Sequence, residues 1–191
     1  MAVITFAPTV ITSDNTLGGS IVWVNPGNAA ASDDSQATVT GPLTAEPLAL
    51  TSTTLKCASW QFGGDTIAAL IAAGDTINSI TLTVERNASG SAAGWYVKDA
   101  IVKHFIDGAY GGTNEADTVT LWPGPPNGVE KAYTMDVITT AQLRAAGYAV
   151  GLQVTMLPLT DANIVGNVDM VSLAVDYTAV SNAQIHMSDD F

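Results

Sequence analysis

Strict alternation of apolar and polar side chains is the feature that most limits what this chain can fold into. Ile80, Leu82 and Val84 fall on one face of an extended segment, and Thr81, Thr83 and Glu85 fall on the other. A period of two matches the pleat of a half-buried strand and not the 3.6-residue turn of a helix. The pattern recurs over residues 148–156 and again over 171–177. Shorter runs at residues 20–24, 36–40, 54–60, 98–106 and 118–122 carry the β-branched and aromatic side chains that suit a pleated surface. Turn chemistry separates them: Asn25-Pro26-Gly27-Asn28, Gly63-Gly64-Asp65, Ala88-Ser89-Gly90 and Pro123-Gly124. Asp107-Gly108 is the dipeptide type that closes a tight hairpin. Many short strands with such punctuation predict an all-β fold, an antiparallel, jelly-roll-like β-sandwich.

Two short helical stretches interrupt this pattern. Residues 66–73 end at Gly74, placed to follow a last turn, and residues 140–147 begin with Thr140 at a cap position and end at Gly147. Each is too short to stand without tertiary support, so the expectation is one or two helices covering an end of the sandwich. The sequence divides into three parts: residues 1–19 as an N-terminal arm or edge strand, 20–180 as the sandwich, and 181–191 as an acidic tail ending in Phe191.

Charge narrows the choice of partner. Charged residues make up 13% of the 191, against roughly 25% in an ordinary globular chain, and the net charge is −12. A weakly charged surface costs less to desolvate against a neighbour, which favours an assembly component. The six basic residues (Lys56, Arg86, Lys98, Lys103, Lys131 and Arg144) form no run that could neutralise a phosphate backbone, so nucleic acid is not an expected partner. An anionic membrane would repel the chain, and no stretch of 18 apolar residues exists to span one. The first residues lack a basic n-region and a cleavage site, so synthesis in a host cytoplasm is expected.

Little in the sequence looks like catalysis. The single cysteine, Cys57, excludes an internal disulfide and reads as a buried small hydrophobe. The two histidines, His104 and His186, have no nucleophile placed beside them, and there is no P-loop, G-x-S-x-G or H-E-x-x-H pattern. No cofactor is expected. The acids sit mostly in polar loops, where Asp33-Asp34 and Asn114-Glu115-Ala116-Asp117 offer clustered oxygens but no EF-hand spacing. Four aromatic residues are candidates for contact with a partner: Phe6 in the N-terminal segment, Trp95 and Trp122 at loop edges, and Phe191 at the end of the tail.

Three stretches carry a resemblance. Trp23-Val24-Asn25-Pro26-Gly27-Asn28-Ala29 leads into Ser32-Asp33-Asp34-Ser35-Gln36-Ala37-Thr38; Gly74-Asp75-Thr76-Ile77-Asn78-Ser79-Ile80 runs into Val84-Glu85-Arg86; and Val168-Asp169-Met170-Val171 continues to Val175-Asp176-Tyr177-Thr178. Taken in order they resemble a family of β-sandwich domains of tailed-phage and prophage structural proteins, some of them head decoration or tail-associated proteins. The resemblance implies a virion component that is not an enzyme. Its expected role is a capsid decoration (cement) protein, a homotrimer bound to the major capsid protein. A tail, neck or fibre component, or a carbohydrate-binding module with glycan as its partner, is the alternative. Residues 65–73 look like a helical insertion relative to the family pattern, and His104 stands where an apolar residue is expected.

Overall fold

The computed structural model describes residues 1–42, 48–89, 94, 96–125, 128–157 and 163–180. In chain order the elements are β1 (Ala2–Asp14), β2 (Ala37–Gly41), β3 (Leu50–Thr51), β4 (Thr54–Phe62), β5 (Asp65–Thr66), α1 (Ile67–Leu70), β6 (Thr76–Ser89), β7 (Tyr96–Ile106), β8 (Ala109–Gly111), β9 (Val129–Met135), α2 (Thr140–Leu143), β10 (Ala149–Leu157) and β11 (Ile164–Thr178). Among the described residues the fold is an antiparallel β-sandwich with two one-turn α-helices and a 3-10 turn at Pro26–Ala29.

The first sheet runs β9-β6-β11, and the far edge of β11 is shared by β2 and the first half of β1. The second sheet runs β8-β7-β10-β4 and ends on the second half of β1. β1 thus leaves one sheet at Phe6 and joins the other at Ala7, serving as an edge strand of both. The N-terminal segment is structural and not a free arm. Phe6, a candidate contact residue from the sequence, is fully buried at this crossover. With no exposed surface it is not available to a partner.

Alternation explains the core. Ile80, Leu82 and Val84 of β6 and Val171, Leu173 and Val175 of β11 point inward, against Val150, Leu152, Val154 and Met156 of β10. Each of these is at most 2% exposed, and burying such a side chain stabilises by about 1.5–3 kcal/mol. Asp107 and Gly108 have φ of 53° and 84° and close the β7–β8 hairpin, the left-handed pair a tight turn requires.

Two expected strands are absent. Residues 20–24 alternate as read, with Ile21 and Trp23 buried and Val22 and Val24 exposed, but make only isolated bridges to Ser52 and Thr38. The segment touches two different strands, and left-handed Asn25 followed by Pro26 ends it before a ladder forms. Residues 118–122 form a loop because the Asp117 carboxylate accepts the Val119 and Thr120 amides, a local bond that competes with strand pairing. The helices are also shorter than read. α1 stops at Leu70 because Ile71 turns extended to bury itself in the core, so Gly74 caps nothing. α2 is capped one residue earlier than read, by Thr139, in a capping box with Gln142.

One polar cluster crosses the core. Arg86 of the first sheet is 3% exposed and pairs with fully buried Asp99 of the second. Asp99 also accepts the Trp122 indole N–H at 2.7 Å, the Tyr133 hydroxyl at 2.8 Å and the Asp117 amide at 3.2 Å. Trp122 is therefore interior, 4% exposed, and the expected loop-edge contact residue is a buried hydrogen-bond donor stacked near Arg86. A register shift between Gln153 and Val154 lets β7 carry one extra residue, which brings Asp99 opposite inward-facing Val154.

Asp99→Ala leaves a buried guanidinium without its counter-charge. It should cost about 3–5 kcal/mol in urea unfolding, whereas the double change Arg86→Met with Asp99→Leu should cost clearly less.

Candidate functional site

The remaining sequence candidates distribute unevenly. Trp95 and Phe191 lie outside the described residues, as do His186 and the tail. Cys57 is buried, and burial pushes its thiol up to about 12, which makes it inert. Among the described residues no group of three His, Cys, Asp or Glu could hold a metal ion. The oxygens of Asn114 and Asp117 are instead spent on the backbone and on Lys131: Asn114 accepts the Val102 amide, and Asp117 accepts the Thr120 amide and pairs with Lys131.

The second sheet carries an aromatic group on its outer face. Register places Phe105 opposite Tyr110 on β8, and Lys103, Gly151 and Lys56 in one cross-strand row. Gly151 is required there, since a Cβ would lie 2.4 Å from the Tyr110 ring that fills its place. Phe105 meets Tyr110 edge-on, and the Lys56 ammonium sits 3.3 Å from the Phe105 centroid while pairing with Asp14. The two rings and Lys56 already have partners, so this face is a packed patch and not an open stacking platform.

A cleft of about 300 Å³ lies at the end of the sandwich, between β4, α1 and α2. Trp60, Ile67, Leu143 and Tyr148 supply its apolar wall. Local chemistry shapes each side. Ser59, with φ of 55°, turns the strand so that Trp60 points inward instead of following the alternation of β4. Gly63 and Gly64, both at positive φ, reverse the chain so that β5 and α1 fold back against β4. The capping box fixes α2, and its last turn presents Arg144 toward α1, where Nη2 donates to the Ala68 carbonyl at 3.2 Å.

The cleft's polar side chains are few. Gln61, Thr66 and Arg144 line it, and no carboxylate does. The Trp60 indole N–H and the Arg144 Nε–H are buried and have no acceptor. Tyr148 closes the inner wall, and burial holds its phenol far above the ordinary range. Its hydroxyl meets His104 Nδ1 at 3.1 Å, while His104 Nε2 lies 2.9 Å from the Asp136 carbonyl oxygen. His104 thus stands at an apolar position because both ring nitrogens are hydrogen-bonded. It also borders a second cavity of about 380 Å³ beside Asp136, Thr139 and Gln142.

No protein-family model matches the chain, and no curated protein does. Two solved structures overlap most of its length. One, described as "CBM4 structure and function", is 16% identical over 92% of this chain and 94% of the other, with a TM-score of 0.35. The other is the N-terminal cellulose-binding domain from Cellulomonas fimi β-1,4-glucanase C, 14% identical over 90% of this chain and 89% of that one, with a TM-score of 0.38. At these scores the overlap is loose and carries no weight for the site.

Trp60 lies in the strand-like run 54–60 and is in the core, and Arg144 is one of six scattered basic residues. Their meeting depends on the fold-back of β5 and α1. The Gly63-Gly64 turn was the one legible signal for it.

Burial holds the His104 imidazole below its ordinary 6.5, opposed by the Asp136 carbonyl and the charges of Asp136 and Glu115. The unfolded chain therefore binds a proton that the folded chain refuses. This stability is complete above about pH 6.5 and lost as pH falls toward the folded value. The urea midpoint should drop from about pH 7.5 to about pH 5, and His104→Gln should remove part of that slope.

Proposed function

We propose that this protein is a non-catalytic β-sandwich module that binds a saccharide in the cleft between α1 and α2. The carrying observation is the pairing, in one concave site, of an aromatic wall with N–H donors that lack acceptors. A sugar ring has an apolar C–H face that suits the exposed Ala68, Ala145 and Ala146 over buried Trp60 and Leu143, and its oxygens suit Gln61, Thr66 and Arg144. The volume stands at the lower end of the roughly 300–1,000 Å³ typical of ligand cavities, which suits a terminal sugar better than a long chain segment. The histidine nearest the cleft engages a phenol and a backbone carbonyl, an arrangement that orients Tyr148 and activates no nucleophile.

Ala146 is exposed and lines the cleft. Ala146→Trp should fill the cavity and weaken glycan binding about tenfold or more in isothermal titration, with the thermal midpoint shifted by no more than a few degrees. Undiminished binding in this variant would move the site elsewhere.

A second reading, decoration of a phage head through the major capsid protein, draws on a different surface. The outer face of the first sheet presents the cross-strand rows Ala132-Thr83-Ser172 and Thr134-Thr81-Ala174-Thr5. These small, uncharged side chains are cheap to desolvate against a flat protein partner. Co-sedimentation with heads lacking the protein tests this reading. Wild type and Ala146→Trp should sediment with the heads, and the double variant Thr83→Arg with Ser172→Arg should stay in solution. A wild type left in the supernatant rules the reading out.

A further inference from the structure

We infer that the group the cleft takes is a carboxylate, so that its ligand is an acidic sugar such as a uronate or a sialate. This rests on the saccharide reading of the same site and adds its charge.

The inference starts from who lacks a partner. Three cations have carboxylate partners: Arg86 with Asp99, Lys56 with Asp14, and Lys131 with Asp117. Lys98, Lys103 and Arg144 form no ion pair among the described residues, and of these three only Arg144 lines the cleft. Its one hydrogen bond goes to the Ala68 carbonyl, which leaves the guanidinium edge at Nε without an acceptor. The Trp60 indole N–H is orphaned in the same wall. Both atoms can only donate, so what is missing is an acceptor. Two orphan donors in one cleft, one of them cationic, call for a ligand with two acceptor oxygens and a negative charge.

A carboxylate meets that requirement better than a hydroxyl. Hydrogen bonds between a guanidinium and a carboxylate are charge-assisted and roughly twice as strong as neutral ones. A carboxylate only accepts, which matches two groups that only donate. The cleft wall offers no carboxylate that would repel an acidic ligand or compete for Arg144. Both flanking helices are single turns, Ile67–Leu70 and Thr140–Leu143, so the wall covering these donors is a short element on each side. The ring of the same sugar then rests on the apolar wall, and the two contacts define one orientation.

The test compares ligands that differ only in charge. Isothermal titration near pH 7 is run with glucuronate, galacturonate and sialate oligosaccharides, each beside its methyl ester and its neutral parent sugar. At least one acid should bind about tenfold or more tightly than its ester, and the preference should shrink as salt is raised. Arg144→Gln should reduce the preference to about twofold or less while the protein still melts cooperatively, and Arg144→Lys should restore part of it. The ester comparison needs no variant, so it stands even where a substitution perturbs the fold. Equal binding of acids and esters, or a preference that survives Arg144→Gln, overturns the carboxylate and leaves the saccharide reading intact. Failure of acids, esters and neutral parents alike removes both.

Discussion

A buried guanidinium facing a buried carboxylate is the constraint around which the two sheets are arranged. Asp99 has no exposure to water, so every lone pair it carries must be met from within. Arg86, Trp122, Tyr133 and the Asp117 amide meet them, and they come from the other sheet, from β9 and from the loop that crosses the sandwich edge. The pair itself is a weak source of net stability, since taking both charges out of water offsets most of their attraction. Its effect is on geometry. The sheets cannot slide, and the residue 113–122 loop cannot lift, without stranding a charge. The rest of the core is alternating aliphatic packing that would tolerate small shifts.

The opposite end of the sandwich follows a different rule. The run of β7 from Asp99 to His104 separates the network from the cleft by on the order of 15 Å. At the network end four donors converge on one carboxylate. At the cleft end two donors have nothing to bind, and the wall is made of single-turn helices held by a capping box and one arginine. Buried donors left unsatisfied are costly and uncommon in a settled interior. On the proposed reading, the scaffold holds the site and the two cleft donors are left for a ligand; the other buried polar atoms without partners, on Thr54, Tyr110 and Asp169, lie away from the cleft.

Much of the frame was legible because it rests on local periodicity. The stretches that alternate most cleanly, at residues 80–85, 148–156 and 171–177, lie in β6, β10 and β11, and the Asp107-Gly108 turn falls where its chemistry demands. β9 escaped notice because its inward positions include Lys131, which reaches Asp117 at the sheet edge, so apolar and charged residues share one face. The Thr118 run misled for the converse reason: its β-branched residues are real, but Asp117 captures their amides first. Trp122 and Phe6 stand out in the sequence as contact candidates because position near a proline loop or a terminus says nothing about what folds over it.

By itself the sequence determined the class of fold, since a period of two over several segments has one physical outcome, a sheet with a dry side that needs a second sheet. It also determined the scarcity of charge and the absence of familiar catalytic patterns. Only the tertiary structure decided which charge is buried, because a one-residue bulge in β7 puts Asp99 inside, and a bulge is set by the neighbouring strand and not by the residue itself. Only the tertiary structure brought Trp60 and Arg144 into one cleft. They are joined by contacts between segments far apart in the chain, and no local pattern records which side chains such contacts will leave without a partner.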